Sequence, residues 1–381
     1  MTDIKIHILK ELFDRPFGGG NQFLKALKKS LITKGIYEEI PEKADVYLFN
    51  SHQNIKKLLR LKLKHQNKLI IHRIDGPLYD VRGQNLEIDY EIYELNNLIA
   101  DGTVFQSEWS KRKNCLLNFK KTTLQMVIMN ASDGEIFFPN LEKRFNLEKK
   151  EKIRLVASSW SPNYNKGFDL YKFLDENLDF NHYSMKFIGN SPILFKNIEM
   201  IKPVKSNDLA NILRESDIYI TGSKNDPCSN SLIEALSCGL PCVALNDGGH
   251  PEIIKEGGET FNTFDDCLKK ILLVENNYEH YKNNIQIPNI ESISDFYIKF
   301  LQKILSLRSS KKYKGKRLRK IDYYKFRLKY NLFGNGMKQI INKSYRIIST
   351  ILIRVLNKSK KKIFKYFLLM RLISSQKTKK L

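Results

Sequence analysis

The sequence predicts an α/β protein of two parallel-sheet domains facing each other across a cleft, with a basic helical tail behind them. Three observations predict it. Short apolar runs alternate with helix-period patterns over two consecutive stretches, the reading of a parallel sheet with helices on both faces. A stretch dominated by Glu and Lys, at about 138–151, separates the two. Charge is segregated as well: of 65 Lys and Arg and 41 Asp and Glu in 381 residues, 25 basic side chains and the single acid Asp322 fall within 303–381. The preceding 302 residues balance at 40 of each sign, so the net charge of +24 belongs to the tail. A near-neutral body with a basic appendage calls for an anionic partner of the appendage alone.

The first domain is expected over 1–140. A strand at 4–9 leads through Pro16-Phe17-Gly18-Gly19-Gly20-Asn21 into a helix with Phe23, Leu24, Leu27 and Leu31 at helical spacing. Glycines at a strand-to-helix turn let a ligand approach the backbone, although a plain helix entry reads the same way. Further strands are expected at 46–49, 69–71, 103–105 and 124–129. His72-Arg73-Ile74-Asp75-Gly76-Pro77 then falls just past a strand end, where ligands of such sheets sit. A histidine in that position is more often a structural hydrogen-bonder than a catalyst, but charged and imidazole groups at a Gly-Pro turn raise the second possibility.

The second domain is expected over 150–290. Its strands are placed at 153–157, 186–189, 199–202, 218–221 and 242–245, with a helix at 208–214 before the fourth. After 218–221 a polar loop reaches Asn230, where a short helix carrying Leu232, Ile233, Ala235 and Leu236 starts; Gly239 ends it before Pro241. That order leaves the amides of Asn230 and Ser231 unpaired at a helix start, a site for phosphate. Asp226 and Glu234, eight residues apart, lie before and within this helix. A carboxylate accepts two hydrogen bonds from vicinal hydroxyls, so the pair suits a sugar nucleotide, unless Asp226 merely caps the helix and Glu234 is solvated.

These residues resemble the donor-binding signature of the large family 4 of GT-B glycosyltransferases. Glu234, the Gly239-Leu240-Pro241 turn and Gly248-Gly249-His250-Pro251-Glu252 fall on that signature, with Asp226 where the family has glutamate. Asn130 to Pro139 resembles the family's segment joining the domains, and a helix at 291–308 resembles the one that crosses back to the first domain. The resemblance implies two Rossmann-like domains and a retaining, metal-independent transfer of sugar from a nucleotide-diphosphate donor to a glycan or lipid-linked acceptor, as in polysaccharide biosynthesis. By that resemblance Glu234 holds the ribose, Asp226 the donor sugar, and Lys166 with Asn230 and Ser231 the diphosphate. Ser159 stands where the family has arginine, so its hydroxyl, Arg73 or another cation from across the cleft would substitute. Gly18, Gly19 and Gly20 would line the acceptor side, and His72 or Asp75 would approach the reacting centre. A catalytically silent scaffold and a sugar-nucleotide epimerase are the alternatives on the same architecture.

No cofactor is expected beyond the nucleotide sugar. The five cysteines lack metal-site spacing and read as reduced packing residues, and no Asp-x-Asp chelating motif occurs. No apolar run approaches the roughly 20 residues that span a bilayer, so a soluble, cytoplasmic body is expected. The tail, 309–381, places apolar residues from Met337 to Leu356 on one helical face among Lys338, Lys343, Arg346 and Arg354, with a second such segment at 361–373. A basic amphipathic helix reads as a peripheral contact with an anionic membrane, here on the inner face. A coiled coil would want flanking acids, and nucleic acid would leave the isoleucine-rich face bare.

Overall fold

The computed structural model of the chain describes residues 4–14, 19–117, 124–140 and 152–330. The chain divides into two units, 1–319 and 320–381. Gly18, the segment 141–151 of the expected linker, and the tail helices expected at 337–356 and 361–373 lie outside the described residues.

The first unit carries two parallel sheets. Strands β1 (Ile6–Ile8), β2 (Val46–Asn50), β3 (Leu69–Ile74), β4 (Gly102–Phe105) and β5 (Gln125–Val127) lie side by side in sequence order. Helices α1 (Gly19–Thr33), α2 (Ile55–Lys64), α3 (Leu78–Arg82), α4 (Leu86–Ile99) and α5 (Glu108–Leu116) connect them. The second sheet contains β6 (Ile153–Ser159), β7 (Tyr183–Gly189), β8 (Glu199–Ile201), β9 (Ile218–Thr221), β10 (Cys242–Leu245) and β11 (Gly258–Phe261), in the order β11-β10-β9-β6-β7-β8. Its helices are α6 (Phe168–Asn177), α7 (Ser206–Glu215), α8 (Asn230–Ser237), α9 (His250–Ile254), α10 (Phe264–Asn276) and α11 (Tyr278–Asn283). The order reverses at β6, whose neighbours are β7 and β9, and ligands gather outside such a reversal.

Each core follows from the apolar periods. In α1 the residues Phe23, Leu24, Leu27 and Leu31 are buried against β1 to β4, and burial of each contributes about 1.5–3 kcal/mol. The long helix α12 (Ile290–Ser309) follows the second sheet but packs Ile293, Tyr297, Phe300 and Ile304 into this first core. Ser30 and Ser294 join the two helices by a buried hydroxyl bond of 2.9 Å. Helix α12 thus runs from the second sheet back to the core of the first.

Residues 309–319, assigned to the tail by charge, are part of the first unit. The Tyr313 hydroxyl and the Lys316 amide both donate to Asp101 Oδ1 at 2.8 Å. Leu318 is buried, and its backbone exchanges two 2.8 Å bonds with the Gln66 amide. The described part of the second unit is helix α13 (Lys320–Lys329), in which Arg327 lies over the Tyr323 ring. Among the described residues no helix is long and apolar enough to cross a membrane.

Candidate functional site

The carboxyl ends of the two sheets face each other, and the site residues gather there. Beyond β9 the loop 222–229 lies flush on the turn after β10. Gly248 has φ of +65°, and a Cβ on it would stand 2.3 Å from the Asp226 carbonyl oxygen. The Gly249 amide donates to that same oxygen at 2.8 Å. The two glycines thus fix the height of Asp226 above the sheet.

Asp226 is buried, and Lys166, from a short 3-10 turn (Tyr164–Lys166) after β6, donates to its Oδ2 at 2.8 Å. The Cys228 amide donates to Oδ1 at 3.2 Å. Burial alone would raise this carboxyl, but Lys166, His250 and the two bonds hold it below the usual carboxylate range. His250 is fully buried; its Nδ1 faces the Leu245 carbonyl at 2.9 Å, and Nε2 has no partner among the described residues.

Asn230 opens α8, whose first turn has no side-chain cap, so its leading amides are open to an anion. One turn on, Glu234 is buried, and burial pushes its carboxyl up to about 8. Glu234 and Asn230 line a cavity of about 240 Å³ between α8 and α1, to which Lys25 and Lys205 also contribute. Asp226 and Lys166 are not among the residues lining it. The structure therefore joins the expected donor residues in two pairs, Asp226 with Lys166 and Asn230 with Glu234, on either side of the α8 start. At about 240 Å³ the cavity is smaller than the roughly 300 Å³ at which ligand pockets begin.

Ser159 does not replace the absent arginine. Its hydroxyl donates to the Ser161 carbonyl at 2.9 Å and closes the turn after β6. The Ser231 hydroxyl pairs with that of Ser229 at 3.2 Å. Arg73 is fully buried in the first domain, bonded to Asn50, to Asp75 at 3.2 Å and to Asn130 Oδ1 at 2.6 Å. Two cations of the first domain escaped the sequence reading: Lys10, just past β1, and Arg82, ending α3. Neither forms an ion pair among the described residues; Lys10 is attracted by Asp75 and repelled by Arg73 and Arg82, and Arg82 also acts on His52. Burial lowers Lys10 to about 8, which marks a partly desolvated charge.

His72 is corrected by the structure: β3 runs on to Ile74, so the ring lies inside a strand rather than past its end. It is buried, with Nε2 donating to the Ser51 carbonyl at 2.7 Å and Asn96 Nδ2 donating to Nδ1 at 3.2 Å. Burial lowers it to about 4, and the neutral ring satisfies both contacts. That leaves no ring nitrogen for a reacting group. Asp75 does stand at the strand end, held by Arg73 and Gln106, beside Gly76, whose added Cβ would lie 3.4 Å from Pro227. The turn that follows Asp75 thus approaches the loop that carries Asp226.

Residues without an assigned role in the sequence hold the domains together. Glu252 accepts the Glu108 and Trp109 amides at 2.7 and 2.8 Å, capping α5 of the opposite domain. Asn130, fully buried, bonds Arg73, Gln106 and Asn230. The side chains of Asn165 and Asn225 donate to the Asp80 carbonyl at the end of α3, each at 3.3 Å. Gly19 is the glycine that this closure requires, since a Cβ there would lie 2.4 Å from Asn230 Cβ, whereas Gly20 has open space. Among the described residues no group of three or more His, Cys, Asp or Glu could hold a metal ion.

Comparison with known proteins bears on the fold and on part of the second domain. Residues 193–287 match the family model described as Glycosyl transferases group 1. The chain is 22% identical over 182 residues to an N-acetyl-alpha-D-glucosaminyl L-malate synthase of Bacillus anthracis, covering 43% of this chain and 48% of that protein. It is 28% identical over 153 residues to the phosphatidylinositol N-acetylglucosaminyltransferase gpi3 subunit of Schizosaccharomyces pombe, covering 36% and 32%. The chain thus spans less than half the length of these curated relatives. In structure it is similar to a sucrose-phosphate synthase from Thermosynechococcus elongatus, with a TM-score of 0.62 at 13% identity over 80% of this chain and 99% of that one. The Anabaena HepE protein in complex with UDP-glucose gives 0.57 at 13% identity over 81% and 100%.

Proposed function

We propose, on the premise that this chain carries a Glycosyl transferases group 1 domain on the two-domain GT-B fold, that it moves a sugar from a nucleotide-diphosphate donor to a hydroxyl acceptor. The observation that carries the reading is the uncapped start of α8, flanked by the Lys166–Asp226 pair on one side and by Glu234 on the other. The diphosphate would lie on the amides of Asn230 and Ser231, with Lys166 turning from Asp226 toward the charge that the leaving group gains. Glu234 would accept the ribose hydroxyls, and Asp226, freed of its partner, would receive the donor sugar. Asp75, at the β3 end just before the turn that approaches this loop, is the group for the acceptor hydroxyl. Lys10 and Arg82 offer the positive charge that Ser159 does not.

Retention of configuration and independence of metal belong to this reading through the family resemblance. The acceptor is a glycan or a lipid-linked group, presented at the inner face of a membrane that the basic residues beyond 319 contact. The names of two relatives, an N-acetyl-alpha-D-glucosaminyl L-malate synthase and a phosphatidylinositol N-acetylglucosaminyltransferase subunit, point to acceptors with an acidic group, in keeping with Lys10 near Asp75. Release of nucleoside diphosphate across a panel of UDP-, GDP- and ADP-sugars, with and without acceptor, tests the proposal. Turnover of one donor that depends on acceptor supports transfer; conversion without acceptor would make the chain an epimerase; no turnover with any donor would leave a silent scaffold.

A further inference from the structure

At the opposite end of the first sheet from the cleft, the strap after α12 folds over the start of β3 and encloses a pocket of about 360 Å³. Six residues of β3, roughly 20 Å of strand, separate it from Asp75. No carboxylate is among its lining residues, while Lys68, Arg308, Lys311, Lys314, Lys316 and Arg317 all are. Two of these have structural duties: Arg308 donates to the Asn67 carbonyl at 3.0 Å, and Lys316 to the Asn96 and Asn97 carbonyls that end α4. The side chains of Lys68, Lys311, Lys314 and Arg317 make no ion pair or hydrogen bond among the described residues.

The pocket is built rather than incidental. Asp101, buried behind it, anchors the strap through the Tyr313 hydroxyl and the Lys316 amide and also accepts the Ile70 amide at 2.8 Å. Gln66 pins Leu318 from the other side. Lys311 sits at φ +57°, a left-handed conformation that costs a lysine energy and that the surrounding bonds must hold. Four unpaired cations held around one concavity repel each other, and a multiply charged anion relieves that repulsion.

We propose that this pocket binds the phosphate-bearing headgroup of an anionic lipid and so fixes the first domain on a membrane. It deepens the membrane reading of the tail. The alternative polyanion, a nucleic acid strand, wants an extended stripe and aromatic faces for its bases. The pocket offers a single concavity and a single aromatic, Tyr313, whose hydroxyl is engaged by Asp101. Its distance from the cleft makes the bound headgroup a tether and not the acceptor.

Amine footprinting of the full chain by acetylation and mass spectrometry tests the site, with phosphatidylglycerol vesicles, phosphatidylcholine vesicles and inorganic pyrophosphate as separate probes. Protection of Lys68, Lys311 and Lys314 by the anionic vesicles and not by the neutral ones is expected, with exposed Lys172 and Lys269 unchanged. Protection by pyrophosphate alone would make it a site for free phosphate and overturn the lipid assignment; no protection by any probe would overturn the site. In parallel, vesicle partition of the triple variant Lys68→Glu, Lys314→Glu, Arg317→Glu is compared with that of Lys172→Glu, Lys202→Glu, Lys269→Glu. The first is expected to lose roughly 100-fold relative to the second. Equal partition of the two triples would overturn the pocket, whereas absence of vesicle binding by the unaltered chain would instead overturn the membrane reading itself.

Discussion

Lys166 and Asp226 are bonded to each other at 2.8 Å, the lysine a third exposed and the acid almost wholly buried. A buried carboxylate with one cationic partner is poised: an incoming anion competes for the lysine, and release of the lysine uncovers the acid. Lys166→Ala should therefore weaken donor binding by about 1.5–3 kcal/mol, the value of a charge-assisted hydrogen bond. The same change should lower stability, because Asp226 loses its partner. Adding Asp226→Asn should recover most of the stability and none of the binding. Thermal melts and calorimetry on the single and double variants check this; additive stability losses would show that the pair is not coupled.

Glu234 should give the folded protein a distinctive pH dependence. Its carboxyl is raised to about 8 by burial, so the folded state keeps a proton that the unfolded chain gives up near 4.5. Between those values the unfolded state binds fewer protons, and its contribution to stability must fall as pH rises from about 4.5 to about 8. Glu234→Gln removes this slope. Melting temperatures from pH 5 to 8.5 should decline less steeply for the variant, and parallel curves would mean that Glu234 is already ionised when folded. If the ribose hydroxyls bond the carboxylate, binding of a sugar nucleotide at pH 7 should also release a proton, visible as a calorimetric enthalpy that varies with the buffer.

Gly19 and Gly20 should behave oppositely. An alanine at 19 meets Asn230 across the cleft at 2.4 Å, so Gly19→Ala should hold the domains apart and expand the particle in small-angle scattering. An alanine at 20 meets nothing and lies in a helix, where it should stabilise by about 0.5–1 kcal/mol. Similar behaviour of the two variants would remove the close approach of α1 and α8 from the account.

Glu252 closes the other side. Its carboxylate accepts the Glu108 and Trp109 amides at the start of α5, a capping bond made across domains. Glu252→Ala should cost about 0.5–2 kcal/mol, as loss of a helix cap does, and raise the exchange rate of those two amides. Unchanged exchange there would mean that the cap does not hold the domains in solution.

For the tail, the cut that separates charge from fold falls after Arg319, since truncation at 307 would remove the strap that buries Leu318 and caps α4. A chain ending at Arg319 should keep the melting temperature of the first unit and lose most vesicle binding. Equal pelleting of the full and shortened chains would remove the tail from the membrane reading.

Much of the arrangement is legible in the residues themselves. The strands 218–221 and 242–245 stand out because their apolar runs are bounded by Asp217, Gly222, Pro241 and Asn246, and β9 and β10 occupy those residues. His72 misleads because polar residues interrupt the apolar run, while the strand continues through His72 and Arg73 as buried, hydrogen-bonded groups. Composition cannot distinguish a polar residue past a strand from one satisfied inside it. The same holds for 309–319, where six basic residues signal solvent and yet the backbone is anchored by Asp101 and Gln66, more than 200 residues earlier. Glu252 is visible as part of a motif, but its partners are amides of the other domain, and local sequence carries no trace of them.

Titration calorimetry of a sugar-nucleotide panel against the unaltered chain and against Glu234→Ala decides most directly whether the α8 start is a donor site. The account predicts that at least one donor binds the unaltered chain and that the variant binds it at least tenfold more weakly. Equal affinity for both proteins, or no binding by any member of the panel, would contradict it.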